Sequence, residues 1–343
     1  MKKNRFFTLV LCGTAAAFLA GCGKETLYLY NWTYYTPDSV IEKFEEEFQV
    51  RVVYDDYPTN EDMYTKLRGG ASGYDIVIPS QDYVSIMKKQ GMLEKIDHTR
   101  IPNLRYLNPE VLARLDYDPQ MEYSVPYYWG AAGIAVNTAK LSGYERSWNI
   151  FASPELAGRA CMLDDMREVI GDALAFLGYS VNSTDRGELQ QALGVIQNWK
   201  KNLAKFDAEM YGKSFAEGEF WVVQGYPECI FSEYPAARRE EVDFFIPESG
   251  GPMYIDSMCI PKGARNPGLA HEFINFILRP DIYAEFLDTF GFPSTIHTEA
   301  GAQKKVPGNY DPEVLLRGEL KNDLGADLEL YNEIWQEVRF GEN

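Results

Sequence analysis

Asp256 is the residue with the most to explain. It lies in Met253-Tyr254-Ile255-Asp256-Ser257, an acid inside an apolar, strand-like run, and burying it is costly unless something pairs with it. A ligand cation would do so; bonds to neighbouring backbone groups at a strand end would too, and the two readings weigh evenly. Asp164, Asp165 and Glu168 form a second acidic group. Paired carboxylates can hydrolyse glycosides as acid and nucleophile, but acids so spaced more commonly begin a solvated helix and complement its dipole. If the segment is helical, Asp165 and Glu168 share a face and Arg167 points away. The third group is Leu27 to Tyr35, Leu-Tyr-Leu-Tyr-Asn-Trp-Thr-Tyr-Tyr, which alternates like a strand and breaks into a knot of rings and hydroxyls. Aromatic faces attract cations at about 0.5–2 kcal/mol each, so Trp32, Tyr34 and Tyr35 suit a cationic ligand.

Other chemistries lack their motifs. The sequence has no Gly-x-Ser-x-Gly, phosphate loop or dinucleotide fingerprint, so no cofactor is expected. His98, His271 and His297 are isolated, and no close cysteine pair offers a zinc site. The 343 residues carry a formal charge of -18, which argues against a nucleic-acid partner. That length exceeds one ordinary core and fits two domains.

The elements that must position these groups follow from periodicity. Residues 27–31 read as a strand, and Thr36 with Pro37 as the cap and first residue of a helix bearing Val40, Ile41, Phe44 and Phe48. Val50 to Tyr54 reads as a second strand, Asn60 to Arg68 as a helix stopped by Gly69-Gly70, and residues 74–78 as a buried strand before a helix from Asp82 to Lys89. This alternation is that of a doubly wound α/β domain, whose ligands bind beyond the carboxyl ends of the strands. The rule puts Trp32–Tyr35 and Ser80–Tyr83 on one rim. Residues 123–137 read as an extended stretch with small residues where the chain could cross between lobes. Leu189, Leu193, Ile196, Trp199 and Leu203 give one face of a helix over 184–203, and residues 325–340 a last helix. Strand-like runs at 242–247 and 254–261 flank Gly250-Gly251-Pro252, and no linker separates the two domains, which suggests lobes that share the chain more than once.

Lys2, Lys3 and Arg5 precede an apolar run from Phe6 to Ala20, and Leu19-Ala20-Gly21-Cys22 resembles the lipobox of bacterial lipoproteins. Cleavage before Cys22, with lipid on its thiol, is therefore expected, leaving a periplasmic protein anchored to the membrane.

The motifs together resemble the spermidine/putrescine-binding proteins of bacterial polyamine ABC importers, an extracellular solute-binding protein family. The segments are Leu-Tyr-Leu-Tyr-Asn-Trp-Thr at 27–33, Tyr-Asp-Ile-Val-Ile-Pro-Ser at 74–80, Ser-Val-Pro-Tyr-Tyr-Trp-Gly-Ala at 124–131, Asp-Asp-Met-Arg-Glu at 164–168, Ile-Asp-Ser at 255–257, Ile-Asn-Phe-Ile-Leu-Arg-Pro-Asp at 274–281 and Gly-Phe-Pro at 291–293. The resemblance implies a two-lobed α/β fold, each lobe a mostly parallel sheet flanked by helices. Lobe 1 would hold residues 22–131 and 254–297, and lobe 2 residues 132–253 and 298–343. It also implies a polyamine ligand, an ABC permease as partner and a monomer. By position, Trp32, Tyr35, Tyr226, Tyr254 and Phe292 would form the aromatic walls, Asp165, Glu168 and Asp256 the carboxylates, and Thr33 and Ser80 the polar contacts.

Six positions depart from the family pattern: Tyr226 and Tyr254 stand for tryptophans and Phe292 for a tyrosine, and three more bear on charge. Tyr34 stands where an acid is usual and Asp82 where spermidine-binding relatives have tyrosine, an apparent exchange across one pocket that requires the two to be neighbours. Lys321 replaces a ligand-contacting glutamine. A fixed cation there would repel an ammonium group, so it should reach solvent or pair with an acid. These changes leave open a receptor for another cationic solute, or a polyamine sensor with the same fold.

Overall fold

The computed structural model describes residues 24–33 and 35–341. Cys22, the preceding leader and Tyr34 lie outside them. The first sheet begins with β1 (Thr26–Trp32), α1 (Asp38–Phe48), β2 (Arg51–Tyr57), α2 (Asn60–Arg68), β3 (Ile76–Val77) and α3 (Gln81–Lys89), followed by the short α4 (Pro109–Leu112) and β4 (Ser124–Ala131). β1 lies between β2 and β3, parallel to both. The carboxyl ends of β1 and β2, and the turn after β3, therefore open on the same side.

The chain then enters a second sheet through β5 (Gly133–Asn137), and β6 (Ala160–Met162), α5 (Met166–Phe176), α6 (Arg186–Lys200), β7 (Leu203–Phe206), α7 (Tyr211–Ala216), β8 (Val222–Gly225), α8 (Pro227–Glu233) and β9 (Val242–Phe245) build it. It returns as β10 (Pro252–Cys259), α9 (Pro267–Ile277), α10 (Pro280–Phe290) and β11 (Glu319–Leu320), and ends with α11 (Leu328–Phe340) packed on α5 and α6. Among the described residues the sheets have six and five strands, with orders β11-β10-β3-β1-β2, plus β4 on β10, and β7-β6-β8-β5-β9. Each keeps parallel pairs and gains antiparallel ones where crossing strands join: β10 runs against β3 and β4, and β5 against β8 and β9. β11 hydrogen-bonds into the first sheet beside Pro252 and Met253, so the stretch after residue 297, expected in lobe 2, contributes a strand to lobe 1.

Small residues at the first crossing have a steric cause. A Cβ on Gly130 would meet the Tyr254 hydroxyl at 2.6 Å, and one on Gly133 the Phe244 ring at 2.6 Å. The Thr36 expectation fails: Pro37 caps α1 without a side-chain bond, because the Thr36 hydroxyl is held by Asn31 and Tyr127 instead. Similarly, α6 ends at Lys200 and Leu203 opens β7. One apolar core underlies the first sheet and reaches Leu163 and Phe244 of the second, while another fills lobe 2 around Trp148, Ile196 and Trp199. Among the described residues no helix is long and apolar enough to cross a membrane.

Candidate functional site

Asp256 sits on β10 at a register irregularity, opposite Ser80. Only 4% of it is exposed. Ser80 Oγ donates to Asp256 Oδ1 at 2.6 Å and the Tyr35 hydroxyl to Oδ2 at 2.7 Å. Ser80 is itself held by Asn60, the first residue of α2. Burial pushes the Asp256 carboxyl up to about 7, against the pull of these two donors and of Lys321. Both oxygens are thus satisfied as hydrogen-bond acceptors, while among the described residues the charge has no ion-pair partner.

Tyrosines and one tryptophan wall this floor. Trp32 ends β1, fixes its ring by donating from Nε1 to the Ile78 carbonyl at 2.8 Å, and packs on Tyr57 at 4.8 Å between centroids. From the other lobe, Tyr226 precedes α8 and meets Tyr254 edge-on at 5.6 Å and 80°. Tyr211 accepts the Tyr226 amide at 3.0 Å. Beside them Glu228, 6% exposed, has one carboxylate oxygen with no hydrogen-bond partner. Burial first, and Asp256 second among the raising causes, push it up to about 8. The cleft has a volume of about 350 Å³ and is lined by both lobes.

At the other end Asp165 caps α5, accepting the amides of Arg167 at 2.9 Å and Glu168 at 3.0 Å. Glu168 is fully buried and pairs with Lys321, itself 5% exposed. Burial pushes Glu168 up while Lys321 draws it down. Burial alone would lower the lysine; Glu168, Asp165 and Asp82 raise it on balance, so it stays charged. Of the two fates expected for Lys321, the structure shows pairing with an acid. Behind them Asp172 accepts from Gln224.

Trp32, Thr33, Tyr35, Ser80, Asp165, Tyr226, Tyr254, Asp256 and Lys321 thus line one cavity. Three of the expected residues stand elsewhere. Asp82 lines a second cavity, also of about 350 Å³, with Lys321 common to both. Glu168 lies beneath Lys321, which also leaves the glycosidase pairing without an accessible second acid. Phe292 is not part of the wall: after the left-handed Gly291 that closes α10, it turns into the core and stacks on Tyr128 at 4.1 Å and 17°.

Sequence reading missed Glu228, Tyr57 and Tyr211. Tyr57 had a usable signal, since it ends the strand parallel to β1. Glu228 follows Pro227 at a helix start, where an acid normally faces solvent.

Two α/β lobes enclosing an acidic, tyrosine-lined cleft define a solute-binding protein. The chain belongs to the bacterial extracellular solute-binding protein family, whose model matches residues 39–311; this is a family of transport binding proteins, not of enzymes. It is 36% identical over 327 residues to the spermidine/putrescine-binding periplasmic protein of Escherichia coli K12, covering 93% of this chain and 92% of that one. The putrescine-binding periplasmic protein SpuD of Pseudomonas aeruginosa is 30% identical, with 90% of each chain covered. The crystal structure of the TpPotD lipoprotein of Treponema pallidum superposes with a TM-score of 0.89 at 58% identity, covering 92% of this chain and 100% of that one.

Proposed function

We propose that this protein is a lipid-anchored, periplasmic receptor that captures a polyamine, putrescine and/or spermidine, and delivers it to an ABC importer without chemistry of its own. The observation that carries this is the placement of Asp256 and Glu228, both more than nine-tenths buried among tyrosine rings and, among the described residues, without an ion-pair partner in the cleft. A ligand ammonium supplies the missing charge, and ring faces its methylene and cationic contacts. Trp32, Thr33, Tyr35, Ser80, Asp165, Tyr226, Tyr254 and Asp256 are the proposed contacts. Closure of the lobes over the bound amine gives the permease a loaded shape to recognise, and the receptor works as a monomer held by lipid on Cys22. A calorimetric and thermal-shift panel of putrescine, cadaverine, spermidine and spermine tests it. Binding and stabilisation by at least one are expected; silence with all four would overturn the reading.

A further inference from the structure

Two cavities meet at Lys321. The larger holds the tyrosines, Asp256 and Glu228; the smaller, on the far side of the lysine, holds Asp82, Tyr117 and Asp323. The Lys321 backbone is tied in place: its amide donates to the Met253 carbonyl at 3.2 Å, and its carbonyl accepts from Gln81 Nε2 at 2.7 Å. Its ammonium is fixed on Glu168. Nearby, Glu168 Oε2 and Asp82 Oδ1 are buried without a hydrogen-bond partner. Lys321 therefore supplies one built-in ammonium to a region with more buried acid than it satisfies.

We propose that Lys321 is an internal cation that divides the cleft and sets the length of ligand it accepts. This rests on the polyamine reading and names the amine class. The buried Glu228 and Asp256 and the half-buried Asp165 line the larger chamber with Lys321, whose ammonium is paired with Glu168; the exposed Glu209 stands at the rim. That leaves a site with two buried acids, Asp256 and Glu228, and a third, Asp165, that shares the Lys321 charge with Glu168. A linear diamine satisfies it with one ammonium at Asp256 and Glu228 and the other toward Asp165. A third ammonium reaching toward the second cavity and Asp82 would meet the Lys321 ammonium, a like charge already paired with Glu168.

The test is isothermal titration of the mature chain and its Lys321→Ala variant with putrescine, spermidine and spermine. The wild type should favour putrescine over spermidine by about tenfold or more, and Lys321→Ala, which joins the chambers and frees Glu168 and Asp82, should shift that ratio toward the longer amines by at least about tenfold. Lys321→Gln, shorter than lysine and uncharged, gives the same two-way reading if the alanine variant does not fold. Equal affinity of the wild type for putrescine and spermidine, or an unchanged ratio in a variant that still binds putrescine, overturns the role of Lys321. A wild type that binds none of these amines instead removes the polyamine reading and, with it, this one.

Discussion

Replacing Asp256 with Asn should raise the stability of the empty receptor and lower its affinity, two opposite effects of one charge. A carboxyl held at about 7 rather than its ordinary 3.8 makes ionisation in the empty cleft cost about 4 kcal/mol. In the unfolded chain the same group ionises near its ordinary value. Because the folded-state value is raised, native stability falls as pH climbs from about 4 to about 7, then stays at the lower level. Asn cannot ionise, so the variant escapes that fall and should gain up to about 4 kcal/mol at pH 8, less what an amide loses in bonding to Ser80 and Tyr35. Binding moves the other way. An ammonium deprived of its buried carboxylate loses about 2–5 kcal/mol, roughly 30- to 4,000-fold in Kd. Scanning calorimetry of the empty protein at acid and mildly alkaline pH, with putrescine titration at the latter, reads both. Unchanged affinity would remove Asp256 from the site. A lower Tm for the empty variant at pH 8 would refute the argument that burial, rather than its two hydrogen bonds, dominates this carboxyl.

Amine affinity of the wild type should strengthen as pH rises through 7 to 8, because Asp256 at about 7 and Glu228 at about 8 must ionise to hold a cation; titrations in buffers of different ionisation heat should show proton release, and Glu228→Gln should remove part of it. A pH-independent affinity between 6 and 9 would contradict this. Asp165→Asn keeps a good helix cap and should weaken binding with little change in Tm, whereas Asp165→Ala should also lose about 0.5–2 kcal/mol of stability. Phe292→Ala should destabilise the fold by about 3–5 kcal/mol, seen by denaturant titration, while putrescine affinity under native conditions stays within about threefold of wild type, since the ring packs on Tyr128 and core losses fall on stability.

What could be read from the sequence was local or followed a general rule of sheet geometry. Asn60 to Arg68 carried its own stop, the glycine pair behind it, and the helix has those limits, with Thr59 accepting the Asp62 amide at its start. Parallel alternation placed Trp32 and Ser80 on one rim 48 residues apart in the chain, and they do line one cleft. Partners distant in sequence decided the remainder. Thr36 was a plausible cap until Tyr127, from the crossing strand, took its hydroxyl. Phe292 was placed by positional resemblance, which carries a backbone location but not the direction of a side chain after a left-handed glycine. Glu228 lay beyond local reading because the acid that acts on it, Asp256, comes from the opposite lobe, and a Pro-Glu helix start shows no trace of it.

The same cross-lobe contact ties binding to closure. Asp256 comes from the first lobe and Glu228 from the second, and Asp256 contributes to raising Glu228. Bringing the lobes together over an empty cleft therefore buries two like-charged groups, or forces protons onto them, and leaves the Tyr254 hydroxyl without a partner. An ammonium between the acids reverses the sign of that interaction, so the ligand favours the closed arrangement by its differential affinity for it. At the other end, Lys321 already holds Glu168 in the same way, and part of the acid there is compensated before any ligand arrives. Sensitivity to the ligand is thus concentrated where the lobes contribute one acid each, and the cost that makes the empty cleft unstable is also what makes the bound amine matter.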